Sequence, residues 1–126
     1  MKKNNCFVYP KTTRESIGGL RHYVVDHSHI TEKLPSVTTI LKDTESEEKK
    51  QSLADWATRI GESAAEKVVS ESAARGTAMH KILEKYILEE GYLDLTNVGR
   101  EAHNMALQVI QKGLCNISEY YGTECT

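Results

Sequence analysis

Between Ala74 and Glu84 the chain reads Ala-Arg-Gly-Thr-Ala-Met-His-Lys-Ile-Leu-Glu, and across and beyond it Met79, Ile82, Leu83, Tyr86 and Ile87 fall at helical spacing. Apolar residues recurring every three or four positions form one stripe along a helix, a pattern that a strand with its period of two cannot bury. The spacing predicts a helix over about Ser72 to Glu90, opened by a small-residue turn at Ala74–Thr77 and terminated at Gly91. His80 and Glu84 lie four residues apart and so share one helix face. An imidazole and a carboxylate so placed can share one divalent cation, or the carboxylate can orient the imidazole. The plainer reading of the same spacing is an inert histidine beside a solvated carboxylate.

The other elements follow from similar signals. Cys6–Tyr9 and Arg21–Val25 are apolar and β-prone, with Pro10 and the Gly18-Gly19 pair between them. Two short antiparallel strands are expected there, with a second turn at Asp26–His29. Pro35 holds Leu34 extended, and Ser36 is placed to cap a short helix through Leu41. Thr44 with Glu47 makes a capping-box pattern for a longer helix carrying Leu53, Trp56, Ala57, Ile60, Ala64 and Val68, weakened at Gly61. A last helix, near Asn97 to Lys112, is expected to bury Val98, Ala102, Met105, Ala106 and Val109 and to stop at Gly113. Ile117–Tyr121 reads as the start of a strand. The fold class is α+β: a strand pair over residues 1–34, a helical region over 35–113, and the start of a truncated strand over 114–126.

Composition narrows the function classes. The 126 residues allow one modest domain, and charged residues at 27% with 39% hydrophobic argue against disorder. No apolar run has the length of a membrane span, and Met1–Asn5 is not followed by a signal-peptide core, so a cytoplasmic protein without a membrane partner is expected. A net charge of −2 does not mark a strongly basic nucleic-acid binder, although a metal-dependent nuclease needs only local basic patches. Cys6, Cys115 and Cys125 form no C-x-x-C pair and read as reduced thiols. His27-Ser28-His29 has the spacing of a zinc-chelating pair, but no cysteine or carboxylate cluster accompanies it, so a polar turn is the simpler reading. His22 and His103 show no constellation.

Two segments carry residue types suited to phosphate. Arg75-Gly76-Thr77 offers a bidentate guanidinium and a glycine that lets backbone approach closely, at what the pattern makes a helix N-terminus. Ser36 and Thr38 place hydroxyls near a second helix start, where they can donate to phosphate oxygens without reading sequence. Trp56 is suited to stacking on a base, but its place on an apolar stripe fits core packing better.

The order Pro35-Ser36-Val37-Thr38-x-x-Leu41, then Trp56, Arg59 and Gly61, then Arg75-Gly76-Thr77-x-x-His80-x-x-x-Glu84 resembles RecB-like exonucleases of the PD-(D/E)XK superfamily, phage enzymes among them. The resemblance spans roughly residues 21 to 90. It implies a mixed catalytic sheet flanked by helices, Mg²⁺ or Mn²⁺ as cofactor, and single-stranded DNA as substrate. It implies that His80 binds the metal, with Glu84 as its catalytic companion, and that Ser36, Thr38, Arg75, Gly76 and Thr77 meet the DNA backbone. The family also uses an Asp and a Glu-x-Lys further along. Asp94 is followed by no Glu-x-Lys, and neither Glu119 nor Glu124 has a lysine two positions on. The expected reading is therefore the amino-terminal portion of a metal-dependent DNA exonuclease, inactive by itself, for a viral protein in the host cytoplasm. Self-association through an exposed strand edge is expected as well. The main alternative is a non-catalytic helical module that binds nucleic acid or protein; a small metal-stabilised domain built on His27 and His29 is a third.

Overall fold

The structure, a computed structural model, describes residues 1–10, 12–27 and 29–125. Among the described residues it forms four α-helices and two small sheets, an α+β chain. None of these helices is long and apolar enough to cross a membrane. The chain divides into two units: residues 7–56 with Cys125, and residues 1–6 with 57–124.

The first unit opens with a three-stranded antiparallel meander. Strands β2 (Thr12–Ile17), β3 (Leu20–His27) and β4 (Ile30–Pro35) follow a two-residue strand β1 (Lys2–Lys3), which belongs to the second unit. The expected strand at Cys6–Tyr9 does not form. Gly18 and Gly19 both have positive φ, 59° and 77°, as a tight hairpin turn demands. That turn pairs Ile17 with Leu20 and carries the register out to Thr12 opposite Val25, so the segment immediately before the glycines becomes the partner strand. The expected strand pair is thus a meander. Of the turn expected at Asp26–His29, Asp26 and His27 are still in strand, paired with Thr31 and Ile30; Ser28 and the His27 side chain are outside the described residues.

Helix α1 (Val37–Asp43) starts where Pro35 and Ser36 predict. Ser36 caps it by accepting the Thr39 backbone N–H at 3.1 Å. Helix α2 (Glu47–Ile60) starts differently from expectation. Thr44 closes α1 and donates its hydroxyl to the Ile40 carbonyl, while Ser46 accepts from the Lys49 N–H at 3.3 Å and opens α2. Gly61, at φ 92°, ends α2 and begins α3.

In the second unit, α3 runs unbroken from Glu62 to Ile87, through the turn expected at Ala74–Thr77. Five alanines, at 64, 65, 73, 74 and 78, are strong helix formers and outweigh the cost of about 1 kcal/mol for the single interior Gly76. The helix stops before Gly91. Glu89 takes the left-handed conformation at φ 58°, its N–H bonds the Tyr86 carbonyl, and the Glu90 N–H bonds the Lys85 carbonyl, a Schellman ending built without glycine.

Helix α4 (Asn97–Lys112) matches its expected range, with Thr96 as N-cap and Gly113 as C-cap. Its buried face is Gly99, Ala102 and Ala106, a row of small residues that lets α3 approach closely and seat Ile82. Val98, Met105 and Val109, expected in the core, are more than a third exposed. Ala78, Met79, Leu83 and Tyr92 pack around the cluster. A single turn of 3-10 helix (Leu114–Asn116) follows, then β5 (Glu119–Tyr120). Strand β5 was expected to lack a partner; it pairs in parallel with β1, the chain's own first residues.

Candidate metal and nucleic-acid site

His80 sits a little past the middle of α3 with its side chain 67% exposed. Its Nδ1 lies 3.3 Å from Oε1 of Glu124, which returns from 44 residues further on. An ionised carboxylate can only accept, so Nδ1 is the donor, and in a neutral ring the lone pair then lies on Nε2. A carboxylate that fixes the tautomer in this way leaves Nε2 ready for a cation. Glu124 was missed in the sequence because no local signal links it to His80.

Glu84 is half-buried one turn further along the same face. Gly76 and Thr77 stand four and three residues before His80, so Gly76, His80 and Glu84 make a row along α3. A Cβ added at Gly76 would meet nothing within 4 Å. The floor beside His80 is therefore open. The phosphate argument based on a helix N-terminus is removed at Arg75–Thr77, because these residues are inside α3, where backbone N–H groups bond carbonyls four residues earlier. Arg75 pairs with Glu101 of α4 at 2.9 Å, with the two side chains 38% and 62% exposed.

Ser36 and Thr38 are held inside a local network. Ser36 is buried and takes the Thr39 N–H at 3.1 Å, while its hydroxyl lies 2.9 Å from those of Thr38 and Thr39. Thr39 gives its proton to the Arg21 carbonyl at 3.0 Å. Ser36 must then donate to Thr39, and Thr38 to Ser36. Both protons expected to face phosphate are spent inside the α1 cap, which the Thr39 hydroxyl ties to β3. Trp56 is half-buried, in keeping with packing.

Among the described residues no group of three or more His, Cys, Asp or Glu side chains is arranged to hold a metal ion. The chain does contain Glu-x-Lys upstream, at Glu47-x-Lys49 and Glu48-x-Lys50. Both lie on the first turn of α2, where residues two apart point in different directions. Lys49 is paired with Glu45 at 2.8 Å and Lys50 with Glu47 at 3.0 Å.

A second polar cluster, also missed in the sequence, surrounds the entry to α4. The Asp94 backbone N–H donates to Nε2 of His103 at 3.1 Å. The Asp94 carboxylate accepts the Thr96 hydroxyl at 2.6 Å and its N–H at 3.0 Å, and Thr96 accepts the Gly99 N–H at 3.0 Å. These hydrogen bonds from Thr96 hold the Asp94 carboxyl below its ordinary pKa, with smaller help from the charge of Lys81. Lys81 lies over the Tyr92 ring, 5.1 Å from its centre. The cluster orders the loop into α4.

Comparison with protein-family models, with curated proteins and with solved structures finds no match.

Proposed function

We propose that this chain contributes to a metal-dependent DNA exonuclease of the RecB-like PD-(D/E)XK type. The supporting observation is the Glu124–His80 contact, which leaves Nε2 of an exposed imidazole free beside Glu84 and the open floor at Gly76. In this reading Nε2 of His80 ligates Mg²⁺ or Mn²⁺, Glu84 joins the ion directly or through water, and Glu124 orients the imidazole. Such an ion supplies Lewis acidity toward a phosphodiester and an activated water. Gly76 and Thr77 give the sugar-phosphate backbone room to pass His80, and Arg75 offers donors beyond those spent on Glu101. Two protein ligands leave most of an octahedral sphere to water, so the metal binds weakly and the chain by itself is inactive.

A second reading, a non-catalytic helical module that binds nucleic acid or protein, is favoured by the lack of a three-residue metal group among the described residues. Metal dependence separates the two. A fluorescent single-stranded oligonucleotide should bind more tightly in Mn²⁺ than in EDTA, and His80→Ala should abolish the difference. Binding that ignores both the metal and His80→Ala favours the module.

A further inference from the structure

We propose that one face of the β2–β3–β4 meander is a stacking platform for single-stranded DNA. Residues directly opposite in an antiparallel pair share a face. The register pairs Arg14 with Tyr23 and Ser16 with Arg21, and Tyr23 in turn with Leu34. Arg14, Arg21, Tyr23 and Leu34 therefore stand on one face, Tyr23 half-buried and the other three exposed. Arg14 and Arg21 flank Tyr23 as its cross-strand and same-strand neighbours, about 7 Å from each other along the diagonal.

The two faces differ in how their charge is used. On the opposite face Lys33 is neutralised by Glu15 at 3.0 Å, and Asp26 accepts the Thr31 hydroxyl at 2.9 Å. Leu20 on that side borders a shallow cavity with Thr39, Lys42 and Asp43, so α1 lies there. On the Arg14 face neither guanidinium has an ion pair among the described residues. Glu32, opposite Val25 in the next row, is the carboxylate on this face. Two uncompensated arginines around a tyrosine ring match what a single strand presents, phosphates on its backbone and exposed base faces. A duplex hides its base faces, so the ring selects single strands.

This surface lies outside the His80 site and needs no metal. The test is fluorescence anisotropy of the full chain with labelled oligothymidine in EDTA, across a salt series. The wild type should bind, and should bind the single strand more tightly than a duplex of equal length. Arg14→Gln and Arg21→Gln should each weaken binding about three- to tenfold at low salt and reduce the salt slope by about 0.7. Tyr23→Leu should weaken it about tenfold with the slope unchanged. Lys33→Gln, on the opposite face, should have no effect. Absence of binding, tighter binding of duplex, arginine variants that match the wild type, or an equal loss in Lys33→Gln would each overturn the proposal. Because metal is excluded, such a failure leaves the His80 reading standing.

Discussion

Nε2 of His103 accepts the backbone N–H of Asp94 at 3.1 Å, which ties the loop before α4 to the second turn of that helix. The same loop then closes on Gly99, where an added Cβ would fall on the Asp94 carboxylate and carbonyl. Gly99→Ala should therefore push out Asp94 and lose both its hydrogen bonds and the Thr96 cap. A destabilisation of about 2–3 kcal/mol is expected by urea unfolding. A cost under about 0.5 kcal/mol would mean that the loop relaxes freely.

Acid should weaken the same knot. Because the folded Asp94 carboxyl titrates below its unfolded value, its ionised form stabilises the fold at neutral pH and down to the ordinary carboxylate range. That contribution is lost as pH falls through the lowered pKa. Thermal unfolding of Asp94→Asn should show a shallower fall in stability between pH 5 and 3 than the wild type. Parallel curves would contradict this.

Glu89 pays for its left-handed backbone, at φ 58°, in the ending of α3. A non-glycine residue there costs about 1–2 kcal/mol. Glu89→Gly should raise stability by about 0.5–1 kcal/mol, read from the urea midpoint. A loss would show that Glu89 makes a compensating contact.

Gly76 separates stability from function. Its interior helical position and empty surroundings mean that Gly76→Ala should stabilise by about 0.5–1 kcal/mol. If the DNA backbone passes over Gly76 beside His80, Gly76→Leu should still fold and yet lose metal-dependent oligonucleotide binding. Retained binding in that variant removes Gly76, and the path over it, from the interface.

The helices were legible because their signals are local. The Ser36 cap, the Gly61 break and the range of α4 follow from propensity and spacing in adjacent residues. What failed depended on competition between signals. The glycine turn outranked the apolar run at Cys6–Tyr9 by fixing register, and the alanines outranked Gly76 by propagating α3. The α4 core could not be ranked from periodicity, since Val98 and Met105 share its apolar pattern but the close approach of α3 selects the small residues. At the site, the His80–Glu84 spacing was visible, whereas Glu124 and the commitment of the Ser36 and Thr38 protons depend on tertiary contacts.

The chain should show no metal-dependent cleavage of labelled single-stranded DNA, because no group of three or more metal-ligating side chains accompanies His80 and Glu84 among the described residues. Turnover that survives purification and disappears in His80→Ala would mean that a complete site assembles, for instance between two copies.

Paramagnetic broadening of histidine ring resonances during Mn²⁺ titration tests most directly whether Nε2 of His80 binds a divalent cation. His80 should broaden first, ahead of His22, His27, His29 and His103, and Glu124→Gln should require about tenfold more Mn²⁺ for the same effect. If His80 stays sharp while His27 and His29 broaden, the metal assignment at His80 is wrong and the exonuclease reading loses its support.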